Sequence, residues 1–367
     1  MKLLIQPGDG VARLVKGIRK AKKSIEIMIF RFDRPEIERA LADAVERGVF
    51  VHALIAFTNR GGEANLRKLE KRFLADGITV ARTAGDLVRY HGKMIVVDRK
   101  ELYLLAFNFT YLDIDHCRSF ALITRNPSLV AEGVKLFEAD AKRQVYNPGS
   151  NKFLVSPVNA RNELTRFIKG AKKELLIYDP NISDRAMLRL LGDRKDAGVK
   201  IRILGGVSAK HFQSCELKRM RLHTRTIIRD RKDAFVGSQS LRQGELDARR
   251  EIGVIFRDAG VVKDLVRTFE EDWVASASDD LKTEERTEER RKQAPRTVVK
   301  RVAKSVAKKI KVAPVAKKVA KAIGKSADVD LNGHKLQKRV EGIMEDVVEA
   351  TANDAAKEAV KAVSDAG

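Results

Sequence analysis

The feature that most constrains this chain is an internal duplication. GIRKAKKSIEIMIF, from Gly17, matches FIKGAKKELLIYDP, from Phe167, with Lys22 and Lys23 falling on Lys172 and Lys173. At the same offset of 150, Gly48 and Val49 fall on Gly198 and Val199, and Leu54 on Leu204. Further along the offset becomes 132, pairing His91 with His223, Asp98 with Asp230, Arg118 with Arg250, Phe137 with Phe269 and Asp140 with Asp272. One accidental likeness would not stay in phase, so two similar units must fold from this chain. The first is 18 residues longer, the difference between the offsets. Its surplus lies near Gly61 to Arg82, where Leu66, Leu69 and Phe73 recur at helical spacing before the apolar run at 78–80, predicting an additional helix and strand.

Each copy alternates strand-like runs rich in Ile, Val and Leu (SIEIMIF, VHALIAF, KMIVVD, LYLLAF, FALIT) with helical stretches such as PEIERALADAVERG. This predicts a layered α/β architecture used twice, over 1–150 and 151–276. Beyond Trp273 the segment 277–367 turns polar. Between Pro295 and Ser326 it carries eleven Lys or Arg and no acidic residue, interleaved with Ala and Val. We read 296–325 as a basic Lys/Ala-rich arm outside the folded core, binding an anionic membrane surface or nucleic acid. A weak amphipathic helix is expected beyond Ala327, through Leu336, Val340, Ile343 and Val347.

The formal net charge of +23 implies an anionic partner without choosing between nucleic acid, lipid and a phosphorylated small molecule. The two cysteines, Cys117 and Cys215, lack C-x-x-C spacing, so neither a disulfide framework nor a structural zinc site is expected. Pro7 and Gly8 interrupt the start before an apolar signal core can form, and no run is long enough for a membrane span. A cytoplasmic protein, peripheral to the membrane at most, is the expectation; oligomeric state is open.

The chemistry is concentrated in HGKMIVVD and HTRTIIRD. The first places His91, Lys93 and Asp98 in the pattern H-x-K-x4-D; the second repeats it with His223, Arg225 and Asp230. One such match is weak evidence, but two at equivalent repeat positions are not accidental. His52 reads as a plain strand residue, His211 and His334 as exposed, and the His116-Cys117 pair lacks further ligands for a metal.

With these motifs the chain resembles the phospholipase D superfamily over about residues 1–276, and cardiolipin synthase-like members in particular. The family's second element, G-S-x-N, starts seven residues after each Asp. Here it reads Leu105-Ala106-Phe107-Asn108 and Gly237-Ser238-Gln239-Ser240, so each copy keeps half of it. The resemblance implies two α-β-α sandwich lobes related by a pseudo-two-fold axis, with both histidines at the seam and no metal or cofactor. Asn108, Ser238 and Ser240 would offer an amide and hydroxyls to phosphate oxygens.

For a phosphodiester, Lys93 and Arg225 would neutralise the non-bridging oxygens. One imidazole would attack phosphorus, and the other, protonated near neutral pH, would protonate the leaving alkoxide. In the family the N-terminal histidine, here His91, is more often the nucleophile. Asp98 and Asp230 are expected to hold the imidazole tautomers, with Glu251 a further candidate on one side only, since Ser119 occupies the matching position. The leading expectation is a phosphodiesterase or phosphatidyltransferase acting on phospholipids through a phosphohistidine. A nuclease is the rival, and a third is an anion-binding protein whose site has decayed, given Arg225, Leu105, Ala106 and Ser240.

Overall fold

A computed structural model describes residues 1–58, 63–209 and 211–276, together with 318, 338–343, 346–347 and 350–351. The chain divides into a compact unit, Met1–Asp279, and a remainder, Asp280–Gly367. Apart from position 318, the basic arm at 296–325 lies outside the described residues, and of the expected C-terminal helix only the short helical stretches from 338 onward fall within them.

The first lobe runs β1 (Lys2–Gln6), α1 (Ala12–Arg19), β2 (Ser24–Ile29), α2 (Pro35–Glu46), β3 (Phe50–Ile55), α3 (Ala64–Ala75), β4 (Thr79–Arg82), β5 (Arg89–Tyr90), β6 (Met94–Val97), β7 (Glu101–Leu105), α4 (Tyr111–Asp115), β8 (Cys117–Thr124) and α5 (Pro127–Ala141). The second runs β9 (Phe153–Val155), α6 (Ala160–Lys169), β10 (Glu174–Ile182), α7 (Arg185–Asp196), β11 (Lys200–Val207), β12 (Gln213–Cys215), β13 (Arg221–Leu222), β14 (Arg225–Arg229), β15 (Asp233–Gly237), α8 (Gln243–Asp247), β16 (Arg249–Arg250) and β17 (Ile252–Phe256). A last helix, α9, covers 259–276.

The sheets are built in the same order, β1-β8-β7-β6-β2-β3-β4 and β9-β17-β15-β14-β10-β11-β12. The expected α/β duplication is therefore present strand for strand. The expected extra strand is not extra: β4 has a counterpart in β12, and the surplus of the first copy is the helix α3, which buries Leu66, Leu69 and Phe73.

Strand alternation explains how the lobes join. Ile25, Ile27 and Ile29 of β2, with Ile95 and Val97 of β6, face α1, α2 and α3 in an outer core. Their neighbours Met28, Met94 and Val96 face the opposite way, into a core shared with Leu176, Tyr178 and Ile228 of the second sheet. That middle layer is filled by α5 and α9, whose Phe137 and Phe269 are fully buried. A second outer core lies under α6 and α7. Both sheets are thus apolar on both faces, and the lobes share one continuous interior.

Reciprocal cross-links fix the register of the lobes. Short β5 pairs with β16, and short β13 pairs with the start of β8. Arg118 reaches across to Asp272 with a two-pronged contact at 2.7 and 2.9 Å, while its repeat mate Arg250 donates to Asp140 at 3.0 Å. These arginine and aspartate matches in the duplicated sequence are therefore joints between lobes, charge-assisted and largely buried.

Candidate active site

The joints also place the histidines. His91 follows β5, and its backbone N–H donates to the Arg250 carbonyl at 2.7 Å; His223 follows β13 and donates to the Arg118 carbonyl at 3.0 Å. Each imidazole is thereby held by the backbone of the opposite lobe. Both residues are more than nine-tenths buried at the seam. Between His91 and Lys93 only glycine fits: a Cβ on Gly92 would lie 2.6 Å from Met28 Sδ.

Lys93 is fully buried, its Nζ 3.1 and 3.2 Å from the two ring nitrogens of His91. Burial, the strongest influence, then Lys93 and Arg225, drive the His91 pKa well below its ordinary value. His223 is also lowered, by burial first and by Arg225, Lys93 and His91, with Asp113 opposing them. The expectation of a second imidazole protonated near neutral pH is therefore corrected: desolvation among buried cations favours the neutral form of both. Burial lowers Lys93 to about 7 and raises Glu251 to about 7, each partly restrained by the other's charge.

Glu251, from the second lobe, accepts from or shares a proton with His91 Nδ1 at 2.7 Å through Oε2. Its repeat mate Ser119 is fully buried, and neither Ser119 Oγ nor His223 Nδ1 has a hydrogen-bond partner. The asymmetry expected from the sequence is present. On the other histidine a carboxylate approaches the opposite nitrogen, with Asp113 Oδ2 3.6 Å from His223 Nε2. Asp113 also accepts from the Asn108 backbone N–H at 3.1 Å and its amide at 2.6 Å, which, with His223, outweigh burial and leave its pKa lowered.

Three expected roles need correction. Asp98 does not touch an imidazole: it accepts from the backbone N–H groups of Lys22, Lys23 and Ser24, at 2.7 to 3.1 Å. Asp230 does the same for Lys172, Lys173 and Glu174. Both begin a two-residue hairpin turn with positive φ at its two central positions, Asp98 and Arg99 (52° each) and Asp230 and Arg231 (53° and 54°). Asp tolerates that conformation, and such turns match strand twist. The x4 spacing is the length of β6 or β14 plus the step into this turn, so the motif's last residue is a structural one.

Asp98→Asn is accordingly expected to lower stability by about 1–2 kcal/mol, the scale of hydrogen bonds to a charged acceptor, and to change turnover less than about threefold, readable from urea midpoints beside initial rates.

The third correction concerns the phosphate-binding hydroxyls. Ser240 Oγ donates to Asp179, a fully buried carboxylate on β10 whose pKa burial raises, and its backbone N–H donates to Glu245 at 2.9 Å. Ser238 Oγ joins β15 to β17 through the Ile252 N–H at 3.1 Å. The Asn108 amide nitrogen is likewise committed, leaving its Oδ1 without a partner. Buried carboxylates have claimed these donors because each would otherwise stay unsatisfied. Lys93 and Arg225 remain as the cations of the seam, Arg225 lying 3.6 Å from Glu245.

Asp113 and Glu245 were not singled out in the sequence, though they stand at the same 132 offset as the motif residues. That offset was the available signal.

A duplicated α/β fold that brings one histidine and one cation from each lobe to a common seam defines the class. A family model described as cardiolipin synthase, PLD-like domain, matches residues 14–141. The mitochondrial cardiolipin hydrolase of Danio rerio is 30% identical over 136 residues, which cover 35% of this chain and 57% of that protein. The polyphosphate kinase of Vibrio cholerae is 25% identical over 270 residues, 64% of this chain and 38% of that one. The phosphatidylserine synthase of Haemophilus influenzae shares the fold, with a TM-score of 0.59 at 11% identity, covering 75% of this chain and 86% of the other. The chain belongs to the phospholipase D superfamily, whose members are phosphodiesterases and phosphotransferases. It spans little more than half, and well under half, of the two curated relatives.

Among the described residues no helix is long and apolar enough to cross a membrane.

Proposed function

We propose that this chain cleaves or transfers a phosphodiester of phospholipids through a phosphohistidine on His91. The observation that carries this reading is the opposite placement of carboxylates on the two imidazoles. Glu251 at Nδ1 keeps the proton of His91 on that nitrogen, so the Nε2 lone pair is available to attack phosphorus. Asp113 stands at Nε2 of His223, favouring a proton on the nitrogen that would serve the leaving oxygen. A bound phosphodiester anion offsets Lys93 and Arg225, the cations that depress His223, and so makes its protonated form accessible.

Lys93 and Arg225 would gather the non-bridging oxygens as charge builds on phosphorus. His91 Nε2 forms a bond to phosphorus while the ester oxygen leaves with the proton from His223. Water or an alcohol, deprotonated by His223, then displaces His91. The basic arm at 296–325 would hold the protein to an anionic surface, a contact that should weaken as salt rises. Lipid as substrate is supported by the cardiolipin synthase description of the matching model and by the cardiolipin hydrolase relative.

A second reading, a phosphoanhydride such as polyphosphate as donor, is favoured by the one reported sequence match that runs through both lobes. Labelled phospholipid vesicles, plasmid DNA and polyphosphate, each incubated with chelator and with wild type or His91→Ala, separate the cases. Lipid turnover lost in the variant supports the proposal. Turnover of DNA or of polyphosphate alone overturns the lipid assignment, and no turnover of any of them supports a decayed site.

A further inference from the structure

The duplication is broken in two places that lie together. The helix α3, present only in the first lobe, forms one wall of a cleft of about 540 Å³ whose other walls are the chain after β2 and α4. In α4 the repeat mates diverge, Tyr111 and Leu112 standing where the second lobe has Gln243 and Gly244. Both apolar residues are exposed, by 59% and 49%, and a single-lobe cluster of large exposed apolar side chains beside an active seam asks for an apolar partner.

The cleft reaches the seam. Its inner end is Asp113, 3.6 Å from His223 Nε2, whose own charge is answered by Asn108 and Arg221. Phe32 and Leu69 supply an apolar floor. Arg31 and Lys68 line it as well, and among the described residues neither has a carboxylate within ion-pair range, whereas neighbouring Arg72 is paired with Glu38 at 2.6 Å. The volume suits a small polar headgroup rather than acyl chains.

We propose that this one-sided cleft seats the leaving-side headgroup of a phospholipid that carries a second phosphate, with Arg31 and Lys68 holding that phosphate and Tyr111 and Leu112 meeting the apolar margin of the bilayer. The assignment rests on the phosphodiester chemistry proposed for the seam: the reacting phosphate occupies Lys93 and Arg225, so the two cleft cations answer a different charge. On this basis lobe 1 selects substrates and lobe 2, with Gln243 and Gly244, does not.

The test compares vesicles of diphosphatidylglycerol and phosphatidylglycerol at equal total phosphate, which differ in the second phosphate, with bis(4-nitrophenyl) phosphate as a soluble diester. Wild type should prefer diphosphatidylglycerol, and the double variant Arg31→Gln, Lys68→Gln should shrink that preference at least about tenfold, the scale of losing charge-assisted contacts. Leu112→Gln should lower the ratio of vesicle to soluble-diester turnover. A wild-type enzyme without the preference, or a double variant that retains it, overturns the cleft assignment while leaving the seam chemistry standing. A wild type inactive on all three overturns the seam reading and the cleft with it. Because each readout is a ratio within one protein sample, partial misfolding cannot imitate the result.

Discussion

His91→Ala is expected to lower diester turnover by about 10⁴-fold or more, the scale on which removing a covalent nucleophile acts, while His223→Ala behaves differently with different leaving groups. With an alkoxide leaving group the His223 variant should be nearly as inactive, because nothing protonates the departing oxygen. With a nitrophenolate, which departs as a stable anion, the first step should survive and the second should stall. The expected observation is a burst of nitrophenolate followed by a covalent adduct on His91, seen by mass spectrometry after rapid quenching and lost on acid treatment. An adduct on His223 in the His91→Ala protein would reverse the assignment of roles, and the argument from Glu251 and Asp113 would fall with it.

The same asymmetry shows what a sequence of this kind discloses. The duplication prescribed the doubled fold because in-phase repetition of Ile25, Ile27 and Ile29 against Leu175 and Ile177 is a statement about which face of each strand is buried. It also located His91 and His223, since a reciprocal pair of short strands must bring equivalent residues together. Sequence spacing could not say which way a side chain turns. Asp98 lies seven residues from His91, but the intervening strand carries it to the far end of the sheet, where three backbone N–H groups need an acceptor. Ser240 was plausible as a phosphate ligand until Asp179 was found to occupy its hydroxyl.

Glu251 was legible because the mismatch with Ser119 exposed it. Asp113 and Glu245 were harder, as Asp and Glu at the offset of 132 differ in length and sit on short helices whose orientation no periodicity reports. The shared middle core was also hidden: alternation in β2 and β6 shows two apolar faces, but not that the inner one meets the other lobe.

The pH dependence should be equally telling, because Lys93 and Glu251 are both pushed toward neutrality by burial, to about 7 each. Catalysis needs Lys93 charged, a condition lost as pH rises through its folded value, and Glu251 ionised, a condition lost as pH falls through its own. The profile of kcat/KM should therefore be a narrow bell near neutral pH, with limbs that belong to the coupled pair. Lys93→Arg, whose guanidinium stays charged, should erase the alkaline limb, and Glu251→Gln should erase the acid limb while costing about 10²–10⁴-fold in rate.

Stability should run the other way. The raised Glu251 favours folding below its unfolded value of 4.5 and that contribution is lost as pH rises through about 7; the depressed Lys93 favours folding above 10.5 and that contribution is lost as pH falls through about 7. Both are spent near neutrality, so the urea midpoint should dip where activity peaks. Lys93→Met should remove the recovery on the alkaline side. A bell that persists unchanged in Lys93→Arg, or a midpoint flat from pH 5 to pH 9, would mean that the ammonium and carboxylate at this seam do not set its protonation.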